Sequence, residues 1–122
     1  MKVRIRIGAL EALAELSDSP AAREIAHALP LTCCFNTWGD EIYFPVPVEV
    51  PLDETACESV QLGDLGYWPT GKAFCIFFGP TPISSGCKII PASSVNIIGK
   101  IVSDPLAFKE VMHESNVLVE KV

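Results

Sequence analysis

The richest concentration of side chains that could bind or react is the aromatic, Gly/Pro-rich segment Gly63–Pro82. Glycines and prolines punctuate its first half, which predicts a loop that carries Tyr67 and Trp68. A loop that displays these rings exposes costly apolar area unless the rings pack or bind something. The rings either cap one end of the fold or, together with Trp38 and Phe78, line an apolar ligand pocket, and both interpretations stay open.

Two further blocks, residues 36–44 and 91–100, also mix polar and apolar side chains. Asn96 lies in an apolar strand pattern, and a buried asparagine must be hydrogen-bonded. It either bonds backbone at a bulge or points a polar group into a pocket, and Asn36 poses the same choice. Thr81 follows a predicted strand, in a loop that would form a natural pocket rim. The candidate ligand-binding residues are therefore Trp38, Tyr43, Tyr67, Trp68, Phe78, Thr81 and Asn96.

Glu41 and Asp64 are the carboxylates that could act as a pair in acid–base chemistry. Asp64 lies in a Gly-Asp-x-Gly pattern, which is typical of a turn residue that bonds backbone, and Glu41 is expected to be a solvated residue at a strand end. The serines have no histidine in an elbow motif, and Lys72 has no Gly-rich phosphate loop around it. The catalytic residues, if there are any, stay unknown.

Composition excludes several classes of partner. The 122 residues carry a net charge of −6, and the nine Lys and Arg are scattered, so neither nucleic acid nor a membrane surface is an expected partner. Charges interrupt the apolar run Met1–Arg6, which is therefore not expected to be a signal peptide. The five cysteines are odd in number and form no Cys-x-x-Cys pattern. They predict reduced thiols in the cytoplasm, with no metal site and no cofactor.

The first sixteen residues fit either a helix or a hairpin. Helix formers dominate residues 10–16, yet apolar residues also alternate with period two. A two-residue loop at Gly8-Ala9, with glycine first as a type II′ turn prefers, satisfies the apolar and the charged positions together. We therefore predict a hairpin with the pairs Ile7–Leu10, Ile5–Ala12, Val3–Ala14, Arg6–Glu11 and Lys2–Glu15.

The remaining elements are short. Ser19 and Pro20 predict the start of a helix that ends at Pro30, and Asp104-Pro105 predicts a second, short helix. Strands are expected at 31–35, 41–46, 73–78, 95–102 with a bulge at Gly99, and 116–122. Many short strands with one or two helices predict a mostly β, closed or nearly closed barrel.

Several blocks resemble, in order and spacing, a family of small bacterial and archaeal proteins of cyclophilin-like fold, described as atypical cyclophilins. The resemblance covers nearly the whole chain and implies one domain over residues 1–122: a closed eight-stranded barrel with one main helix. The function of this group is not established. The matching stretches are Asn36–Gly39, Glu41–Phe44, Gly63-Asp64, Gly66–Pro69, Gly71–Ala73, Phe77–Gly79, Thr81-Pro82, Pro91–Ser93, Val95-Asn96 and Gly99–Ile101.

The resemblance also raises peptidyl-prolyl isomerase activity, which is the activity of cyclophilins proper. Such an enzyme needs an apolar pocket for the proline ring and a cation, an arginine on the barrel face, for the prolyl nitrogen. The three arginines here are Arg4 and Arg6 on the polar face of the hairpin and Arg23 on the helix, and Lys72 does not reproduce a guanidinium fork. Ordinary isomerase activity is therefore not expected.

Three hypotheses follow. The first is a binding module that holds a small molecule or a short peptide in an aromatic pocket on the barrel face. The second is an enzyme, either an atypical prolyl isomerase or one that uses Asp64 or Glu41. The third is a subunit that forms a homo-oligomer through the Pro-rich edge 45–51 and the acidic segment 51–62.

Overall fold

A computed structural model describes residues 1–122, which form ten strands and two helices. The first helix, α1, spans Pro20–Ala28, and a 3₁₀ helix spans Pro105–Val111. Neither helix has the length and apolar character needed to cross a membrane. The strands are β1 (Lys2–Ile7), β2 (Leu10–Leu16), β3 (Leu31–Cys34), β4 (Asn36–Thr37), β5 (Glu41–Pro45), β6 (Ala56–Cys57), β7 (Asp64–Trp68), β8 (Ala73–Phe77), β9 (Val95–Ile101) and β10 (Asn116–Lys121).

The hairpin β1–β2 has the predicted register. Ile7 pairs with Leu10, and Lys2 pairs with Glu15. Gly8 has a φ of 57°, which a glycine adopts at little cost. The apolar partners face the core, and Arg6 lies 3.1 Å from Glu11 on the outer face. The alternation of apolar residues and the pairing of charges therefore outweigh the helix propensity of residues 10–16 and make this segment a hairpin.

The sheet runs in the order β3-β10-β1-β2-β9-β7-β8-β5-β4, and β6 adds to β9. The continuous segment 31–37 forms both ends of this order, because β3 pairs with β10 and β4 pairs with β5. The result is the expected mostly β, nearly closed barrel. Eight strands have four or more residues, and β4 and β6 are two-residue additions to the expected eight.

Both helices begin as the sequence predicts. The Ser19 hydroxyl accepts a hydrogen bond from the backbone NH of Ala22, and the Asp104 carboxylate accepts one from the NH of Leu106. Ile25 of α1 is fully buried in the core. In the 3₁₀ helix, Phe108 stacks on Phe78 with 5.8 Å between ring centroids.

The expected loop around Tyr67 and Trp68 is wrong, because Asp64–Trp68 forms β7 between β8 and β9. Gly66 belongs inside this strand, since a Cβ there would lie 3.1 Å from the Val95 side chain and 3.2 Å from the Phe77 ring. Glycine here leaves room for side chains of the two neighbouring strands and does not mark a turn.

Strand β8 is buried on both faces and separates two hydrophobic clusters. Phe74 and Ile76 point into the barrel, where 26 buried residues form the main core. Ala73, Cys75 and Phe77 point outward into a second cluster of six buried residues. The chain after β8 folds back over this outer face, and the Val60 NH bonds the Ile89 carbonyl at 2.9 Å.

Candidate functional site

An open cavity of about 250 Å³ lies on the outer face of the barrel, beside the second cluster. We call it the outer-face pocket. Its walls are mostly apolar and aromatic, with one carboxyl group among them. The lining residues are Trp38, Glu41, Tyr43, Trp68, Pro91, Ala92 and Val95.

Strand alternation on β5 places two of these side chains. Ile42 and Phe44 point into the main core and are fully buried. Glu41 and Tyr43 therefore project to the outer face. Tyr43 pairs with Cys75 of β8, which forms the floor beside them.

A tight turn brings Trp38 to the same place. The Trp38 NH donates to the Glu41 carbonyl at 2.9 Å, and Gly39 has a φ of 61°. A Cβ on Gly39 would lie 2.8 Å from the Pro80 carbonyl oxygen. The glycine therefore lets the turn dock on the following loop and hold the indole over the pocket.

Trp68 is fixed from two sides. Its Nε1–H donates to the Ser93 hydroxyl at 2.6 Å, which connects the indole to the 91–95 segment. A Cβ on Gly71 would lie only 2.6 Å from the indole carbons, so the backbone at Gly71 packs directly against the ring. Trp68 is thus an oriented wall of the pocket, half-buried.

Glu41 is the most unusual residue of the site. It is only 6% exposed, and no nitrogen or oxygen donor of the protein hydrogen-bonds its carboxyl group, beside which lies the Cys75 thiol. Burial raises the pKa of Glu41 to about 7, and the contact with Cys75 lowers it in part. The expectation of a solvated Glu41 is wrong because the returning chain covers this strand end.

The Cys75 thiol is a poor nucleophile in this setting. It is fully buried, and burial and the neighbouring Glu41 carboxylate raise its pKa well above the ordinary range. Because the thiolate is the reactive form, this thiol stays protonated and inert. Cys75 therefore gives the site no nucleophile, and the pKa of Glu41 lies near neutral pH.

Of the seven candidate residues, the structure brings Trp38, Tyr43 and Trp68 together in the outer-face pocket. It places the other four elsewhere, which corrects the sequence-based grouping. Tyr67 is fully buried in the main core, where its hydroxyl donates to the Val48 carbonyl at 2.5 Å. Phe78 is also fully buried there.

Asn96 and Thr81 organise loops instead of facing the pocket. The Asn96 side chain accepts from the Asp53 NH at 2.8 Å and donates to the Pro51 carbonyl at 3.0 Å, so it follows the backbone-bonding interpretation. The Thr81 hydroxyl donates to the Ile90 carbonyl and contacts the Ser84 hydroxyl. Thr81 thereby holds the loop that leads into the 91–95 wall.

Sequence reasoning weighed Glu41 and dismissed it, and it did not select Pro91, Ala92 or Val95. The alternation of Glu41 with Tyr43 on one strand face was the available signal. Asp64, by contrast, bonds backbone as expected: it is the first residue of β7, and its carboxylate accepts from the Gln61 NH at 2.8 Å across the preceding turn.

No basic residue lines the pocket. Arg4 and Arg6 form ion pairs with acids on neighbouring strands, and Arg23 pairs with Asp18 beside α1. Lys72 lies 3.4 Å from Glu49. These four cations are thus engaged away from the pocket, which presents aromatic rings and one carboxyl group.

Comparison with known proteins agrees with this architecture. The solution structure of the hypothetical protein AF2241 from Archaeoglobus fulgidus is similar, with 46% sequence identity, a TM-score of 0.82, and coverage of 100% of this chain and 95% of that one. McbB in complex with tryptophan shares the fold alone, at 13% identity and a TM-score of 0.69, with coverage of 98% of this chain and 44% of that one. No curated protein matched. The family model described as Cyclophilin-like matches residues 1–120, and the chain therefore belongs to the cyclophilin-like family.

Proposed function

We propose that this protein is a binding module that holds a small molecule, or one side chain of a short peptide, in the outer-face pocket. The observation that carries the proposal is the convergence of Trp38, Tyr43 and Trp68 on one open cavity that also contains a buried carboxyl group. Ligand sites typically combine apolar walls with a few placed polar groups in this way.

The size of the pocket limits the ligand. Its volume of about 250 Å³ lies just below the roughly 300–1,000 Å³ of sites for drug-sized molecules. A compact ligand or a single side chain fits this volume, whereas an extended peptide would have to lie across the rim. The half-buried indoles supply flat apolar area with little conformational entropy to lose on binding.

An NMR fragment screen tests the proposal. We expect hits to shift the indole NH resonances of Trp38 and Trp68. We also expect Ala92→Phe to abolish binding, because Ala92 is an exposed wall residue and a phenyl ring at this position would fill the cavity. Ala56→Phe, an exposed alanine on β6 outside the pocket, is the matched control and should bind normally. Hits that map elsewhere, or that survive Ala92→Phe, would overturn the proposal.

An atypical prolyl isomerase is the alternative enzyme function, and nothing in the pocket favours it. Rotation about the X–Pro bond is helped by a cation at the prolyl nitrogen, and neither lysine nor arginine lines the pocket. We expect a protease-coupled prolyl-peptide assay to show no rate above background. A rate that disappears in Ala92→Phe would establish isomerase activity at this site.

Location and self-association stay predictions. All five cysteines are free, which fits a reducing compartment such as the cytoplasm. A homo-oligomer through residues 45–62 would have to pack around the exposed Pro45 and Pro47, and prolines at an edge discourage strand addition. Light scattering tests this, since a 13.2 kDa species would exclude the oligomer.

A further inference from the structure

The carboxyl group of Glu41 lacks a counter-charge. Glu41 is 6% exposed and lines the outer-face pocket without an ion pair to any lysine or arginine. Lys109 pairs instead with the preceding residue, Asp40, with 3.7 Å between Nζ and the carboxylate. A carboxylate shielded from bulk water is costly unless it is paired, and the open cavity beside Glu41 lets a ligand supply the missing partner.

The other walls favour a cationic partner. The rings of Trp38, Tyr43 and Trp68 line the same cavity, and tryptophan is the strongest of the aromatic side chains in cation–π attraction. A carboxylate among several aromatic rings suits an ammonium group. The carboxylate neutralises its charge, and an alkylated ammonium is weakly hydrated, so it loses little when it leaves water to contact the rings. The net charge of −6 also repels anionic ligands from the protein as a whole.

We propose that the outer-face pocket binds a compact organic ammonium cation, held against the rings of Trp38 and Trp68 with the Glu41 carboxylate as its counter-charge. This inference rests on the proposed function and names the chemical class of its ligand. The ammonium group can belong to a free small molecule or to an alkylated lysine side chain of a peptide.

Affinity for such a cation depends on pH in a defined direction. Burial raises the pKa of Glu41 to about 7, so the ionised, binding-competent form prevails at pH 8 and is about a tenth of the population at pH 6. The other titratable groups that face Glu41 are the Tyr43 phenol and the Cys75 thiol, and burial raises the pKa of that thiol well above its ordinary range. Asp40, the preceding residue, is paired with Lys109. The wall from 91 to 95 adds no titratable group.

A neutral ligand would behave in the opposite way. A carbonyl or amide oxygen would accept a hydrogen bond from the protonated Glu41 carboxyl group, and its affinity would fall as the pH rises through 7. The sign of the pH dependence therefore separates a cationic ligand from a neutral one.

The experiment titrates the protein with tetramethylammonium, with choline and with choline's uncharged isostere 3,3-dimethylbutanol, by NMR at pH 6 and pH 8. We expect both cations to bind at pH 8, about tenfold more weakly at pH 6, and the isostere to bind at least tenfold more weakly than choline at pH 8. Glu41→Gln, which keeps the shape and removes the charge, should reduce the preference for choline over the isostere to the part that the aromatic rings supply. Glu54→Gln, an exposed acid outside the pocket, is the matched control.

Peptides that carry trimethyl-lysine or unmodified lysine distinguish the two sources of the cation. Binding of the free cations alone assigns a small molecule, and tighter binding of the trimethyl-lysine peptide assigns a protein side chain; both support the ammonium site. Equal binding of choline and its isostere, or an unchanged preference in Glu41→Gln, overturns it. If uncharged fragments bind in the pocket and are blocked by Ala92→Phe while the cations do not bind, this inference fails and the proposed binding function stands.

Discussion

The buried carboxyl group of Glu41 makes the stability of the protein depend on pH in a way that one substitution removes. In the folded protein its pKa is raised from the ordinary value of 4.5 to about 7. The native state therefore holds a proton that the unfolded chain releases, so stability falls as the pH rises. The loss begins near pH 4.5, where the unfolded chain ionises, and is complete just above pH 7, where the native carboxyl group has also ionised.

The size of this effect follows from the same two values. A tenfold change in proton affinity corresponds to about 1.4 kcal/mol, so the change from 4.5 to about 7 amounts to about 3 kcal/mol. The Glu41 carboxyl group lines an open cavity, so solvent screening makes this figure an upper bound. Glu41→Gln cannot titrate and should lack this part of the pH dependence. The free energy of unfolding of wild type, minus that of Glu41→Gln, should therefore fall by up to about 3 kcal/mol between pH 4 and pH 8.

Urea denaturation at half-unit steps from pH 4 to pH 8 measures both curves. The other acids titrate equally in the two proteins, so their contributions cancel in the difference. Glu54→Gln serves as the control, because it removes an exposed carboxylate and should run parallel to wild type. Parallel curves for wild type and Glu41→Gln through pH 4.5–7 would refute the argument that burial governs this carboxyl group.

Three substitutions test contacts that hold the barrel and its loops together, each by urea denaturation. Tyr67→Phe removes the hydroxyl bonded to the Val48 carbonyl and should lower the free energy of unfolding by about 1–3 kcal/mol without changing fragment binding. Loss of fragment binding in this variant would instead place Tyr67 in the site. Asn96→Ala leaves the Asp53 NH and the Pro51 carbonyl unpaired and should lower the free energy of unfolding by about 2–4 kcal/mol. Unchanged stability would show that the loop at 51–53 does not need the amide. Gly99→Ala should destabilise by more than about 2 kcal/mol, because its Cβ would lie 2.3 Å from the Glu15 carbonyl oxygen; wild-type stability would show that β2 and β9 can separate freely.

Local patterns predict the hairpin, both helix starts and the core strand because each is decided by adjacent residues. The register of β1 and β2 follows from alternation and charge in one short stretch. The continuous apolar run Ala73–Phe77 becomes the strand that is buried on both faces. The bulge near Gly99 also forms, because Leu65 and Gly66 of β7 pair with Gly99 and Ile97 and skip Ile98.

The missed features depend on contacts between distant segments. Glycine in β7 indicates a turn when read locally, yet Gly66 is needed because Phe77 and Val95 approach from neighbouring strands. Glu41 looks like a solvated strand end until the chain after β8 returns across it. Tyr67 and Asn96 have pocket-like side chains whose backbone partners lie 19 and more than 40 residues away, and no local pattern indicates those partners.

The sheet has a hydrophobic cluster on each face, and this arrangement explains how the fold tolerates a buried carboxyl group that lowers its stability. The 26 residues of the main core lie inside the barrel and supply most of the apolar burial that stabilises it. The outer cluster has six buried members and can leave an open cavity beside it without loosening the barrel. Removing the charge of Glu41 should then have two separable effects, a flatter pH dependence of stability and a weaker preference for cations. Because the first effect follows from burial alone and the second requires a ligand, their joint appearance would indicate that the pocket holds a destabilising group for use in binding.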